Sequence, residues 1–193
     1  MNQRVADFKD GTEEIKIGDG PTVRFQVFSN NKNLPCDVEI SVMGKARVFP
    51  KLAWVESVID EKNKLVYRPK LIYVLGDERK PFFVAIGLYS VISVVGQNVL
   101  STIIDLNRRE TDDKGFYFEK VLLRADSFVL TYEGGAAKIE DDGRLLWHVK
   151  LSWDDVYERC DGDYLHYKSE FSDLGSKNWA LSISTGEKVV LDG

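Results

Sequence analysis

Alternating polar and apolar residues recur along the chain. Residues 22–27 and 37–42 alternate almost without exception, which is typical of strands with one buried and one exposed face. Gly44 follows the second of these segments and precedes another candidate strand at residues 46–49. Because glycine readily adopts the positive φ of a tight turn, the pattern predicts a β-hairpin around Gly44.

The alternation is densest between residues 126 and 190. There Leu145, Trp147 and Val149 share one face of a predicted strand, and short glycine-containing turns separate it from its neighbours. Links this short join antiparallel strands, since a parallel crossover needs about a dozen residues or more. Ser152 with Asp155 three residues later forms a capping-box pattern, which predicts a helical turn or two over residues 152–159.

The segment between Lys80 and Asp105 contains no charged residue and is long enough to cross a bilayer. Its composition favours strands instead. Pro81, Gly87 and the polar residues 96–98 interrupt it, and valine and isoleucine dominate the remainder. We therefore expect two or three buried strands here, in a soluble protein that makes no membrane contact.

These patterns together predict a mainly β fold. Antiparallel meanders would pack as a two-sheet sandwich or as incomplete propeller-like sheets, with one or two short helical turns. A chain of 193 residues can bury its core as a single domain, residues 1–193. The charged stretch at residues 107–114 is the best candidate for a subdivision. Residues 52–59 are ambiguous, because their apolar positions fit a helical stripe while their β-branched content suits a strand.

Three segments near the C-terminus resemble one repeat of a quinoprotein-type β-propeller. They are Asp142-Gly143-Arg144-Leu145-Leu146-Trp147, Asp161-Gly162-Asp163-Tyr164-Leu165 and residues 180–188. In such repeats a glycine turn precedes a strand carrying tryptophan, and an Ala-Leu-Asp-x-x-Thr-Gly segment follows. Here Ser182 stands where the repeat has aspartate, and no tryptophan follows Lys188. The resemblance implies propeller-like sheets over roughly a third of the chain and says little about chemistry, because the matching residues form turns and packing contacts.

Composition narrows the possible partners. The formal net charge of −5 and the pI of about 5.2 argue against a broad nucleic-acid surface, which needs excess lysine and arginine. A hydrophobic content of 44% excludes general disorder. The polar residues 1–7 lack the apolar core of a signal peptide, so the expected location is the cytoplasm.

Motifs for catalysis, metal binding or cofactor binding are weak. The two histidines, His148 and His166, lack the close spacing of zinc ligands, and no serine sits in a nucleophile elbow. Residues 18–20 are glycine-rich but precede Pro21 and a strand, whereas a phosphate cradle needs a helix. We predict no catalytic residue, no metal and no cofactor, which favours a non-enzyme and leaves activity an open question.

Aromatic and acidic residues supply the candidate binding surface. Tryptophan and tyrosine offer rigid contact area that is partly apolar and partly polar, and carboxylates suit a basic partner. The predicted binding residues are Trp147, Trp153, Tyr157, Tyr164, Trp179, Asp154 and Asp155. The leading hypothesis is a non-enzymatic protein-binding module, and within it a small acidic bacterial immunity or inhibitor protein. The alternative is a carbohydrate-binding or glycoside-processing β domain, and homo-oligomerisation is left open.

Overall fold

The fold was examined in a computed structural model that describes residues 1–8, 11–17, 19, 21–28, 35–76, 82–87, 90–95, 99–105, 118–152, 154–169 and 177–190. Within these residues there are seventeen strands and no helix, and every strand pair is antiparallel. The predicted mainly β class is confirmed. Across the same ranges no helix has the length and apolar character that crossing a bilayer requires.

The chain divides into two compact units. One contains Met1–Phe116 with the turn residues Asp141–Gly143, and the other contains Tyr117–Glu140 with Arg144–Gly193. The charged residues 107–114, where the composition favours a subdivision, lie outside the described residues. A single domain over residues 1–193 stays a prediction.

The first unit is one antiparallel sheet of nine strands. Strands β2 to β9 are neighbours in chain order, and β1 pairs with β6. Their bounds are β1 Asn2–Asp7, β2 Thr12–Lys16, β3 Thr22–Phe28, β4 Cys36–Val42, β5 Lys45–Ile59, β6 Leu65–Leu75, β7 Phe82–Ile86, β8 Ser90–Val95 and β9 Val99–Asp105.

Strand β5 changes partners halfway along its length. Its first half pairs with β4 and its second half with β6. Between the two halves Lys51 has a φ of 52°, a conformation that residues with side chains rarely adopt, and its N–H donates to Asp37 Oδ1 at 2.8 Å. This bend folds the sheet onto itself. Phe25 of β3 and Phe83 of β7 have ring centroids 5.1 Å apart, whereas strands four places apart in a flat sheet would be separated by roughly 19 Å.

Sequence predictions for the first unit agree with its strands. The hairpin around Gly44 joins β4 to β5, and Met43 and Gly44 both have positive φ, 50° and 78°, as a type I′ turn requires. The ambiguous residues 52–59 belong to β5. The uncharged segment after Lys80 contains β7, β8 and β9, and Phe83 and Ile92 within it are buried.

The second unit contains two four-stranded antiparallel meanders. Each is formed by strands that follow one another along the chain. The first comprises β10 Phe118–Leu123, β11 Ser127–Tyr132, β12 Gly135–Glu140 and β13 Leu145–Lys150. The second comprises β14 Asp155–Asp161, β15 Tyr164–Ser169, β16 Lys177–Ser182 and β17 Lys188–Val190.

The helical turn predicted over residues 152–159 is wrong, because β14 begins at Asp155. Ser152 and Asp155 do bond to each other. The Ser152 N–H donates to Asp155 Oδ2 at 3.0 Å, and the Asp155 N–H donates to the Ser152 carbonyl at 3.1 Å. These bonds close a turn that leads into a strand, since the following residues pair with β15.

Trp147 joins the two meanders of the second unit. Its indole N–H donates to the Ile183 carbonyl at 3.0 Å. Its ring covers Gly186, where an added Cβ would lie only 2.9 Å from Trp147 Cγ and where φ is 75°. Glycine is therefore required at this position. Around this contact Val129 and Ala136 of one meander share a buried core with Leu165, Leu181 and other residues of the second.

Candidate functional site

Three of the predicted binding residues lie in one packed cluster. Trp179 is buried, its ring stacks on Tyr167 with centroids 4.7 Å apart, and its indole N–H donates to Asp155 Oδ1 at 3.0 Å. Tyr157 meets Tyr167 edge-on, with centroids 5.9 Å apart, and burial raises the pKa of its phenol. Tyr167, which is not one of the seven predicted binding residues, is the centre of this cluster.

Asp155 organises the cluster through its carboxylate. Oδ1 accepts hydrogen bonds from the Ser169 hydroxyl and the Trp179 indole, and Oδ2 accepts one from the Ser152 N–H. With three protein donors the carboxylate has little capacity left for a partner. Asp154 lies in the preceding turn and is half-buried. Trp153 lies outside the described residues.

The remaining predicted residues are separate from this cluster. Trp147 packs on Gly186. Tyr164 is 44% exposed, and because side chains alternate along a strand it points to the face of β15 opposite the buried Leu165. Tyr164 is the predicted aromatic residue with the largest exposed fraction in the part of the chain that is described. The role of all seven residues in binding stays a prediction.

The structure presents a second candidate surface, which we call the arm: residues 55–69 of β5 and β6 with the turn between them. Beyond the Val55–Pro69 pair, the strand pairing among the described residues joins these two strands only to each other. At the end of the arm Ile59 lies directly opposite Leu65, and the two side chains are 71% and 58% exposed. They are adjacent apolar side chains that the protein's own core does not cover.

One face of the arm is largely apolar along its whole length. Residues directly opposite each other in an antiparallel pair share a face. On this face the pairs are Val55 with Pro69, Ser57 with Tyr67 and Ile59 with Leu65. Val55 packs against the core of the first unit, so the apolar face continues outward from that core to the tip.

Local hydrogen bonds hold the tip of the arm in shape. Asp60 Oδ1 accepts the N–H groups of Lys62 at 2.9 Å and Lys64 at 2.8 Å, and Asn63 adopts a φ of 55°. On the opposite face of the arm Glu56 forms an ion pair with Lys70, which lies in β6 just outside the arm. The turn that carries Ile59 and Leu65 is therefore structured before any partner arrives.

The two histidines do not form a shared site. His148 belongs to β13 and His166 to β15, which are strands of different meanders, and His148 Nε2 forms a hydrogen bond with the Tyr132 hydroxyl. Among the residues that can be described, no group of three or more His, Cys, Asp or Glu side chains is arranged to hold a metal ion.

Comparisons with known proteins leave the family unassigned. No family model matches the sequence, and a search of curated proteins finds no match. Among solved structures the chain is similar to the AfRom2 CNH domain, with a TM-score of 0.37 and 11% identity, over 94% of this chain and 54% of that one. The chain thus spans about half the length of that domain, and a likeness this weak supports no inference about function.

Proposed function

We propose that the protein is a non-enzymatic protein-binding module that engages its partner through the apolar face of the arm. The observation that carries this proposal is the exposed cross-strand pair Ile59 and Leu65 at the arm's tip. Grouped apolar side chains on a protein surface mark interaction sites, whereas single ones are common everywhere.

The energetics of the arm suit binding. Burying an isoleucine or leucine side chain contributes about 1.5–3 kcal/mol. The bonds from Asp60 hold the turn in place, so binding orders little additional backbone and loses less entropy. A two-stranded arm is also narrow enough to enter an apolar cleft, with Glu61, Lys62 and Lys64 left at the rim to contact polar groups.

We extend this to an inhibitor or bacterial immunity role. An arm that fills the cleft of a partner blocks whatever else binds there, and the net charge of −5 suits a basic partner such as a nucleic-acid-directed toxin. The carbohydrate alternative has less support. The ring of Trp179 is covered by Tyr167 and by the Lys188 ammonium and offers no free face for a sugar, and one side of the Trp147 ring lies against Gly186.

Affinity capture from the native cell with a pair of matched variants tests the proposal. Ile59→Thr with Leu65→Thr removes the apolar pair and keeps residues that suit strands. Val5→Thr with Val48→Thr makes similar changes at two valines of the same unit that are 51% and 50% exposed but lie outside the arm. We expect the wild type and the second variant to retain the same partner, and the arm variant to retain at least tenfold less.

Equal capture by both variants would show that the arm is not the binding surface. Sedimentation of the purified chain completes the experiment, because recovery of a second copy of the chain as the partner would identify the arm as a homo-oligomer interface.

A further inference from the structure

The arm has an unpaired edge along β5. Strand β4 pairs with the first half of β5 only, and the described residues place no strand beside the second half on that side. In an antiparallel pair, residues that are bonded to each other alternate with residues that are not. The Asp60 N–H donates to the Lys64 carbonyl at 2.9 Å, which fixes this alternation along the arm. The N–H and C=O groups of Val55, Ser57 and Ile59 therefore point away from β6, toward the unpaired edge.

The other edge of the arm, along β6, is less suited to pairing. Pro69 lies opposite Val55, at a position whose backbone points away from β5, and proline has no N–H to donate there. The Pro69 carbonyl already accepts the Phe8 N–H at 3.2 Å. Within the arm, Leu65 and Tyr67 then remain to bond a further strand on this side. A strand added to the arm would find more bonding groups on β5 than on β6.

The β5 edge also lacks the features that usually keep a strand edge from pairing. Natural edges are protected by lysine, proline or a bulge. Residues 55–59 contain none of these, and their one charged residue, Glu56, forms an ion pair with Lys70 of the same chain. By contrast β2, the strand at one end of the same sheet, has three charged residues among its five. The β5 edge is therefore open to an additional strand.

A second copy of this edge is complementary to the first. If a two-fold axis passes through Ser57, each Ser57 lies opposite the other, and Val55 lies opposite Ile59 of the second copy. The bonding groups of these three residues all point toward the axis, so each of them finds a backbone partner. The pairing also places β-branched side chains side by side on the apolar face, and Glu56 lies opposite Val58, so no like charges face each other.

We propose that two copies of the chain pair through the β5 edges of their arms and form one four-stranded antiparallel sheet. A contact over about five residues of each strand is smaller than a stable interface, which buries at least about 1,200 Å², so the association is weak and depends on concentration.

The pairing goes beyond the proposed function, because the edge of the arm is a different surface from its apolar face. Two paired arms are about 14 Å across, which is three strand spacings instead of one. A cleft that accepts a single arm would therefore bind only the separated chain, so self-association would compete with partner binding. This last consequence rests on the proposed function, whereas the pairing itself does not.

Sedimentation equilibrium of the purified full chain tests the pairing without any partner. We expect the average mass to rise above 22.0 kDa toward twice that value as the concentration increases from about 10 μM to about 1 mM. Ser57→Lys and Ser57→Glu each place like charges opposite each other at the axis, and each should weaken the association at least about tenfold at low salt. An equimolar mixture of the two variants places opposite charges there and should restore the mass of the wild type.

Proline variants on the two edges provide a second test. Ser57→Pro removes an N–H that points toward the axis and breaks no bond between β5 and β6, so this variant should remain at 22.0 kDa. Tyr67→Pro, at the residue directly opposite in the arm, removes the corresponding N–H from the β6 edge and should associate as the wild type does. Circular dichroism confirms that each variant is folded.

Several results would overturn the proposal. A wild-type mass of 22.0 kDa over the whole concentration range would show that the chain does not pair. Undiminished association of both Ser57→Lys and Ser57→Glu, or a mixture that associates no better than either variant alone, would place the contact elsewhere. Because no partner is present in this measurement, its failure leaves the proposed function standing, and partner capture by the Ile59→Thr with Leu65→Thr variant tests that function separately.

Discussion

In the β14–β17 meander and in the arm, the exposure of the side chains is the reverse of what their residue types suggest. In the meander, Trp179 and Asp155 are bonded to each other, and the ring of Trp179 is stacked on Tyr167. In the arm, Ile59 and Leu65 lie at the end of two strands that pair with each other, yet their side chains remain exposed. A side chain whose contacts are already made within the chain stabilises the fold. One that is ordered but uncovered is available to a partner, and this difference separates the two regions better than residue type does.

The largest effect on stability is expected at Trp147. Trp147→Ala removes the ring over Gly186 and the bond to the Ile183 carbonyl, which should lower the free energy of unfolding by about 3 kcal/mol. Trp147→Phe, which keeps most of the bulk and loses the N–H, should cost about 1 kcal/mol. Urea unfolding measures both. If Trp147→Ala unfolds at the same urea concentration as the wild type but no longer captures the partner, Trp147 contacts the partner and does not stabilise the fold.

A smaller loss is expected at Asp155. Asp155→Ala leaves the Trp179 indole and the Ser169 hydroxyl without an acceptor and should cost about 2 kcal/mol. The matched change Asp154→Ala, one residue earlier in the turn, should cost less than about 0.5 kcal/mol. If the two variants unfold at the same urea concentration, the carboxylate of Asp155 is not the organising group described above.

Glu119→Gln should raise stability slightly and only above acidic pH. Because the pKa of Glu119 is raised in the folded state, that state holds its proton more tightly, and wild-type stability falls as pH rises through the raised pKa. Glu119→Gln has no carboxyl group at this position, so its stability does not fall for this reason as pH rises. We expect a gain below about 0.5 kcal/mol at neutral pH, since solvent screens a partly exposed group, and no gain from this source near pH 3. Unfolding midpoints across this pH range would reveal the trend, and parallel curves for the two proteins would contradict it.

The smallest effect on stability belongs to the arm. Ile59→Thr with Leu65→Thr should change the free energy of unfolding by less than about 0.5 kcal/mol, because both side chains are already largely in water. A loss of several kcal/mol in urea unfolding would mean that the pair is structural, and the contrast between the two regions would then fail.

Strand positions were predictable because alternation reports burial directly. Strand β4 alternates buried and half-buried residues along its whole length, as its sequence indicated. The capping-box pattern at Ser152 gave a wrong prediction of a helical turn, because the same hydrogen bonds between Ser152 and Asp155 can form at the start of a helix or in a turn that leads into a strand. The residues after it were decided by pairing with β15, which a local pattern does not contain.

The candidate surfaces were less predictable than the strands. Ile59 and Leu65 have the composition of core residues, and their exposure depends on where the neighbouring strands stop pairing, at Ala53 of β5 for β4 and at Lys70 of β6 for β1. Conversely, Trp179 is a residue type expected on a binding surface, yet it is buried against Tyr167, which lies on a different strand. The sequence around a residue shows neither where the neighbouring strands stop pairing nor which side chain of another strand covers it.

Strand β1 has a consequence for the order of events during synthesis. Asn2 lies opposite Leu75, so the partner of β1 is made some seventy residues later. At about 5–20 residues per second, this delay lasts roughly 4–15 seconds on the ribosome. Strands β3 to β5 each pair with the strand that precedes them and can form hairpins as they emerge. Strand β1 therefore has no partner in the sheet until β6 has been made.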